Sequence, residues 1–576
     1  MKPRVLLVQL PIPPLSLEGS SGNGPLAAGA LALRAHRLGL GASHEIGIFP
    51  PRLADGLGDR ALVEEILARE PAVVGFTCYL WNVARTLWVA ERLKERRPAL
   101  VIVLGGPEIT RDNAWVLGRE AVDLAAFGEG EQTFADLLAR RAAGADLAGT
   151  PGLWYRGLDP AAVPNRDPLP SLDLVTSPYL EGLLDLRTDG ILALETIRGC
   201  VFSCAFCYYP KSYDKLYYLS EDLIRKSLRH ARECGIREVY LLDPTLNQRR
   251  DFARFLEILA EENPDRSLDF HAELRAEGVK PEHARLMGAA NFVEVEVGLQ
   301  STDAVAQELM DRRNNLPAFE RGVRALREEG VRVKTDLIVG LPGDTEDSVR
   351  RSFHWVADAD LFDVIQVFQL AILPGTSFRA NAARLGLVHQ DRPPYYVLRT
   401  ETLELDTILE LVDEAEEIFD TNFDPLPEPV LEAPAGAAAP NALVVDLDHD
   451  PDPRLPERSA SAFSLRLRAR DHFARLETST RLVREFAARE PYSTLQVILE
   501  AGDEFPLDVL DALTAAARRE EELYLDRVHA FLPGAARASL RLVTLTTEEA
   551  AARIAPDWLE AAGELCDLVI APTASR

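Results

Sequence analysis

The chain has 576 residues and a net charge of −28, with 63 Lys and Arg against 91 Asp and Glu. That length predicts several domains, and the acidic balance argues against nucleic acid as a partner, because phosphates would be repelled over most of the surface. Hydrophobic residues reach 47% without an apolar run long enough to cross a bilayer, and the N-terminus leads straight into the strand-like "RVLLVQL", so we expect a soluble cytoplasmic protein with no membrane partner.

In chain order, residues 1–150 alternate β-rich runs at 4–10, 44–49, 72–78, 99–106 and 121–130 with helical stretches such as "NVARTLWVAERLKERRP". The alternation predicts a doubly wound, Rossmann-like parallel sheet, which takes ligands at the carboxyl ends of its strands. Thr77, Gly105, Gly106, Pro107, Gly128, Glu129, Gly130 and Glu131 stand at those ends. Glycine there lets a bulky ligand approach the backbone, although for any single one a tight βα turn is the simpler reading.

Residues 151–190 are proline-rich without a sustained period and read as an ordered connector. From 191 the alternation resumes, with strands expected at 191–199, 238–243, 268–274, 292–298, 331–340 and 363–372. Six βα units predict a partial (β/α)6 barrel whose open side admits a large substrate. An acidic helix at 400–422, expected to present a solvated face, closes this domain at 423. Residues 424–442 read as a Pro/Ala-rich linker, and 443–576 as an accessory α+β domain to which no chemistry is assigned.

The stretch "RGCVFSCAFCYYP" (198–210) holds Cys200, Cys204 and Cys207 in a C-x3-C-x2-C arrangement. Thiolates bind metals and iron-sulfur clusters strongly, and three of them leave one coordination position open. A closed structural zinc site needs a fourth ligand, for which Cys234 or His271 would have to serve; a chance cluster of buried thiols is the other alternative. Cys78, Cys234 and Cys566 lie far apart in sequence with no framework spacing, which suits a reducing compartment.

The cysteine spacing resembles the signature of radical S-adenosylmethionine (SAM) enzymes, and roughly the first 400 residues resemble radical SAM proteins that carry a cobalamin (B12)-binding domain. The resemblance implies a [4Fe-4S] cluster held by Cys200, Cys204 and Cys207, with SAM on the fourth iron. It assigns the Phe206 backbone to adenine and the polar strand ends to ribose and methionine. These ends are Asp243 of "LLDPTLN", Glu273 and Arg275 of "HAELRAE", Gln300 and Ser301 of "VGLQS", and Gly340 and Leu341 of "IVGLPGDT". Pro244 replaces a second acidic residue common in relatives, and a helix N-cap is the alternative for Asp243.

In the N-terminal sheet, "VGFTCYLWN", "VIVLGGPE" and "FGEGEQTF" are similar to the strand-end loops of the cobalamin domain. They supply Thr77, Trp81, Asn82, Gly105, Gly106, Pro107, Glu108, Gly128, Glu129 and Gly130 as contacts. The loop after the first strand, "PIPPLSLEGSSGNGPLAAG", lacks the histidine that ligates cobalt in many mutases. We therefore expect cobalamin with its own base displaced and no protein nitrogen in its place. A sheet that kept its fold and lost its ligand is the competing interpretation.

The resemblance implies an enzyme that cleaves SAM reductively with an electron from a ferredoxin or flavodoxin-type donor. Its expected reaction is methylation of an unactivated carbon, or phosphorus, of a small molecule or peptide. Radical cyclisation, ring contraction or oxidation without methyl transfer is the alternative, and a cobalamin or iron-sulfur sensor without turnover is another. Thiomethylation of transfer RNA fits poorly, because residues 1–150 hold only Cys78 where further cluster ligands would be required.

Overall fold

The computed structural model of the chain describes residues 2–18, 23–175, 177–209, 213, 215–519, 521–529 and 537–572. Part of the loop after the first strand, at 19–22, lies outside the described residues. Apolar runs such as "VVGFT" are buried along their whole length, the signature of strands covered on both faces.

The N-terminal sheet contains β1 (Arg4–Gln9), β2 (Glu45–Ile48), β3 (Val73–Thr77), β4 (Val101–Gly105), β5 (Leu124–Ala126) and β6 (Leu153–Tyr155), in the order β2-β1-β3-β4-β5-β6. The first five strands are parallel, whereas β6 returns antiparallel to β5 from the segment expected to be only a connector. Strand order reverses between β1 and β3, the switch point at which doubly wound sheets open a crevice.

The second sheet begins at β7 (Ile191–Leu194), and a small antiparallel ribbon of β8 (Ile197–Arg198) and β9 (Tyr217–Tyr218) follows. The sheet continues with β10 (Glu238–Leu241), β11 (Asp269–Leu274), β12 (Phe292–Gln300), β13 (Arg332–Val339) and β14 (Val364–Gln369). All six main strands are parallel and adjacent in sequence order, as in an open barrel. Alternation sends Val239, Leu241, Phe270, Val295, Val297 and Val333 into the apolar core shared with the helices. The same period of two places Tyr240, Glu273, Glu296, Lys334 and Asp336 on the opposite, inner face.

The single strand expected over 191–199 is broken at Glu195–Thr196. The carboxylate of Asp243, just beyond β10, accepts the N–H groups of Thr196 at 2.7 Å and Ile197 at 2.8 Å, as well as the Thr196 hydroxyl. Those donors are thereby taken out of a sheet ladder, and the chain turns away into β8. The acidic helix runs Leu405–Phe419 and buries Ile408, Leu411, Ala415 and Phe419 against the barrel core, so its solvated face is only one side.

A two-stranded ribbon of β15 (Val388–His389) and β16 (Val397–Arg399) precedes that helix. The last sheet, β17 (Ala442–Asp446), β18 (Ala462–Arg468), β19 (Thr494–Glu500), β20 (Leu540–Thr547) and β21 (Asp567–Ala571), corrects the α+β expectation. Its five strands are all parallel in sequential order, which makes the unit α/β. Parallel strands need crossovers, and the helices Leu476–Arg489 and Asp508–Ala516 supply two of them. The Pro/Ala-rich segment is an ordered strap rather than a free linker. Arg541 donates to the carbonyl of Pro427, Gln496 Nε2 donates to Val430 O at 2.8 Å, and Leu431 packs against buried Ile498, Val543 and Leu545. This unit docks on the start of the helix Asp59–Ala68 of the N-terminal domain through Gly58 N–H to Ser459 O at 2.8 Å and Tyr492 N–H to Asp59 at 2.6 Å.

Candidate functional site: two abutting cavities

The first cavity, of about 350 Å³, lies between the face of the N-terminal sheet and the helices Leu26–Arg37 and Gly130–Ala142. It is open because small residues stand where bulk would fill it: Gly75, Ala27 and Ala28 in the walls, and Gly105 at the end of β4. A Cβ on Gly105 would meet nothing within 4 Å, so that position borders empty space. Gly106 differs; its φ is +106° and a Cβ would strike the Cys78 carbonyl oxygen at 2.6 Å, so glycine is required there by the turn itself.

Thr77, Gly105, Gly106, Pro107, Gly128, Glu129 and Gly130 line this cavity. Asn82, Trp81 and Glu108 do not. The Asn82 amide is spent on the backbone, accepting from Tyr79 N–H at 2.8 Å and donating to Leu10 O at 2.9 Å, while Trp81 stacks on Tyr79 with centroids 4.5 Å apart. It is Tyr79 that reaches the cavity. Glu108 is buried and accepts from the Tyr395 hydroxyl at 2.6 Å and from Asn113. Burial, with some help from Asp112, raises its carboxyl to about 7 against the opposing pull of Tyr395, Asn113 and Arg379. Its role is to tie the N-terminal sheet to the segment after the barrel.

The far wall comes from the barrel: Glu195, Arg198, Tyr209 and Tyr213. Arg198 holds Glu195 through Nε at 3.0 Å and Nη2 at 2.6 Å, and its Nη1 reaches Glu129 at 2.9 Å and Glu131 at 3.0 Å. Burial opposes the charge of Arg198, but Glu131 and Glu195 outweigh it and hold the guanidinium above its ordinary pKa. One cation thus joins the loop after β5 to the strand that leads into the cysteine motif.

The second cavity, of about 150 Å³, opens at the carboxyl ends of the barrel strands and is lined by Cys200, Cys204 and Cys207. Their loop is pinned on both sides: Ala205 N–H donates to Met310 O at 2.8 Å, and Phe378 N–H to Ala205 O at 2.9 Å. Gly199, at φ +103°, passes so near Lys215 that a Cβ would lie 2.5 Å from its carbonyl oxygen. Burial raises the Cys207 thiol to about 11, and the neighbouring Cys204, Cys200 and Glu273 push in the same direction. Among the described residues no three or more His, Cys, Asp or Glu come close enough to share one metal ion. Three thiols around one cavity, with neither Cys234 nor His271 in its lining, suit separate corners of a cluster better than a zinc site closed by either of those residues.

Phe206, Glu273, Arg275 and Gln300 line the second cavity as well. Asp243 does not, since its carboxylate is wholly engaged by Thr196 and Ile197; it is also not a helix N-cap, because the short helix Leu246–Gln248 is preceded by Thr245. Ser301 is buried against Asp344 and Asp303, and Gly340 and Leu341 pack behind the strands, so these three form scaffold rather than wall.

Several lining residues escaped the sequence reading: Phe202, Thr245, Glu296, Arg312 and Asp336. Arg312 donates to Gly298 O, Asn314 and, at 4.0 Å, the Cys204 sulfur, and none of these is a carboxylate. Burial, then repulsion from Arg275, lowers its pKa. Asp336 Oδ1 and Gln300 Oε1 are buried acceptors without partners. Burial lifts the Asp336 carboxyl well out of the carboxylate range, Glu296 adding to it and Lys334 opposing; Glu273 is raised to about 7 by burial and Glu296. An available cation beside unpaired acceptors matches a zwitterionic, hydroxyl-bearing ligand such as SAM. The alternating "EVEVG" of β12 and "VKTD" of β13 carried a signal for Glu296 and Asp336, because polar residues at every second position mark one face of a strand.

Comparisons with known proteins agree with this two-part site. Residues 194–356 match the radical SAM superfamily model and residues 41–138 the B12 binding domain model. The chain is 29% identical over 325 residues to the cobalamin-dependent radical SAM methyltransferase TokK of Streptomyces tokunonensis, covering 53% of this chain and 47% of TokK. It is 30% identical over 387 residues to the 2-(S-pantetheinyl)-carbapenam-3-carboxylate methyltransferase of Streptantibioticus cattleyicolor, covering 61% and 54%. The chain therefore spans about half the length of the curated relatives it matches. In fold it resembles the radical SAM methyltransferase TsrM of Kitasatospora setae, with a TM-score of 0.56 and 20% identity over 69% of this chain and 80% of that one. The cofactors that accompany these two domains are a [4Fe-4S] cluster with SAM, and cobalamin. The chain thus joins a B12-binding domain to a radical SAM domain.

Proposed function

We propose that the protein is a cobalamin-dependent radical SAM methyltransferase acting on a small molecule, with a peptide as the other substrate class its open barrel admits. The observation that carries this reading is the adjacency of the two cavities, one walled by glycines and one by thiols, which share Tyr209 in their linings. A one-electron step at a cluster and a methyl-carrying corrinoid must lie near one another to act on one carbon.

Cys200, Cys204 and Cys207 would hold the cluster, which supplies the electron that breaks the C5′–S bond of SAM. Arg312 would pair with the SAM carboxylate, and Asp336 and Gln300, whose oxygens lack partners, would accept from ribose hydroxyls. Glu273 faces the same cavity and suits the amino group. The strands and helices around both cavities exclude water from the reacting atoms. The sheet's glycines would receive the nucleotide tail of cobalamin, whose role is to carry the methyl group. Histidine does not occur among the residues that line this cavity, which supports a corrinoid held without a protein nitrogen on cobalt.

A ferredoxin or flavodoxin-type protein is the electron donor we infer. All six cysteines are free thiols, which suits the reducing cytoplasm; among the described residues no helix is long and apolar enough to cross a membrane. The named relatives act on a carbapenam carboxylate and, in the TsrM structure, tryptophan, which favours a compact metabolite over a macromolecule.

The test is product analysis of anaerobically reconstituted protein given dithionite, SAM and hydroxocobalamin. A methyltransferase releases S-adenosylhomocysteine as well as 5′-deoxyadenosine. Release of 5′-deoxyadenosine alone would move the protein to cyclisation or oxidation chemistry, and release of neither would make it a sensor.

A further inference from the structure

Tyr209 lines both cavities. It lies two residues after Cys207, and its backbone amide hydrogen-bonds that thiol, so the cluster loop fixes where its ring starts. Where the ring points is set from the other side. The Tyr209 hydroxyl donates to Glu195 Oε1 at 3.4 Å, and Arg198 holds that carboxylate while gripping Glu129 and Glu131 of the first cavity's wall. Tyr213 flanks the ring at 6.0 Å between centroids, and itself lines both the first cavity and a neighbouring groove of about 690 Å³. The ring is therefore attached by its backbone to one cofactor site and by its hydroxyl to the other.

We propose that Tyr209 is the gate between the two cavities, the side chain that sets how closely the sulfonium methyl of SAM and the corrinoid approach one another and against which the substrate carbon is placed. The inference rests on the proposed function. The step it controls balances without a further reactant: a fully reduced corrinoid supplies the electron pair for the new cobalt–carbon bond, the S–CH3 bond of the sulfonium breaks, and neutral S-adenosylhomocysteine departs. Reductive cleavage of the C5′–S bond happens wholly within the thiol-lined cavity and does not cross the gate. A residue that merely packs the cluster loop would affect both outcomes of SAM alike, whereas a gate changes their ratio.

The experiment uses the full chain loaded with cluster and hydroxocobalamin, reduced with titanium(III) citrate and given SAM. S-adenosylhomocysteine and 5′-deoxyadenosine are quantified together, and SAM retention is measured separately by equilibrium dialysis. Tyr209→Trp, which thickens the gate, should lower the ratio of S-adenosylhomocysteine to 5′-deoxyadenosine on the order of tenfold while the dialysis reading holds. Tyr209→Leu, which thins it, should raise that ratio, and reads the same quantity if the tryptophan variant fails to load cofactors. A ratio equal to that of the unmutated protein in either loaded variant overturns the gate. If the unmutated protein releases no S-adenosylhomocysteine at all, the methyl-transfer reading fails and the gate fails with it, a result that no variant is needed to see.

Discussion

The two cavities are made from different materials. The one on the N-terminal sheet is formed by what is missing: glycine and alanine at strand ends and helix faces leave a hollow that a Cβ at Gly105 would begin to fill. The one on the barrel is formed by what is added: three thiols, an arginine and two unpartnered oxygens turned inward. A hollow of the first kind should be destroyed by adding atoms and a site of the second kind by removing them, and this asymmetry organises the expected outcomes.

The largest effect belongs to the thiols. Cys200→Ala, Cys204→Ala and Cys207→Ala should each abolish 5′-deoxyadenosine release and lower bound iron, while Cys78→Ala, Cys234→Ala and Cys566→Ala retain iron. Iron analysis and chromatography of the reaction mixture check both halves, and a full cluster in any motif variant would refute the ligand assignment.

Next comes the corner between the cavities. Removing the Asp243 carboxylate leaves the buried N–H groups of Thr196 and Ile197 without acceptors, so Asp243→Ala should cost about 2–4 kcal/mol of stability. Because that corner leads into Cys200, iron loading should fall along with SAM retention. Lost SAM affinity with undiminished stability and iron would instead return Asp243 to the direct contact that the sequence suggested.

At the first cavity, the lining holds no imidazole, so with the cofactor's own base displaced, paramagnetic resonance of the cobalt(II) form should show no nitrogen superhyperfine splitting. A resolved triplet would mean that the base is retained or that a protein nitrogen takes its place, and would contradict the expectation.

The smallest effect is a pH dependence at Glu108. Its carboxyl titrates near 7 in the fold and near 4.5 when exposed. The folded state therefore binds the extra proton between those values, and the group's contribution to stability is present at low pH and lost as pH rises through about 7. Glu108→Gln keeps an acceptor for Tyr395 and ends the titration, so above neutrality it should raise stability by on the order of 1–3 kcal/mol more than in mild acid, read as a larger rise in melting temperature. An equal shift at both pH values would show that the carboxyl does not titrate in this range.

The same asymmetry explains what could be read from the chain itself. Strand ends marked by Gly105 and Gly128 were legible because the glycine is itself the structural feature: a Cβ at either position would meet nothing within 4 Å. Asp243 was assigned to SAM and Asp336 passed over for the opposite reason. An acidic residue near a strand end can serve the backbone or a ligand, and which it serves depends on whether unpaired N–H groups lie nearby. Thr196 and Ile197 supply them for Asp243, and nothing does so for Asp336 Oδ1. Trp81 and Asn82 lie off the cavity for a similar reason, because a turn that hydrogen-bonds itself through Asn82 presents Tyr79 to the cavity instead. The accessory sheet was placed in the wrong class because residues 443–576 were not divided into strands and helices, although its helices Leu476–Arg489 and Asp508–Ala516 stand between parallel strands as crossovers do.

The central claim is that two separate cofactor sites sit side by side in one chain, and paired loading tests it most directly. Gly105→Leu and Cys204→Ala proteins, with the unmutated chain, are reconstituted with iron, sulfide and hydroxocobalamin, desalted, and assayed for iron and corrinoid. The unmutated chain should retain about four iron atoms and one corrinoid. Gly105→Leu should keep the iron and lose the corrinoid, and Cys204→Ala should keep the corrinoid and lose iron. Retention of corrinoid by the Gly105→Leu protein, or an unmutated chain that binds none, would contradict the account.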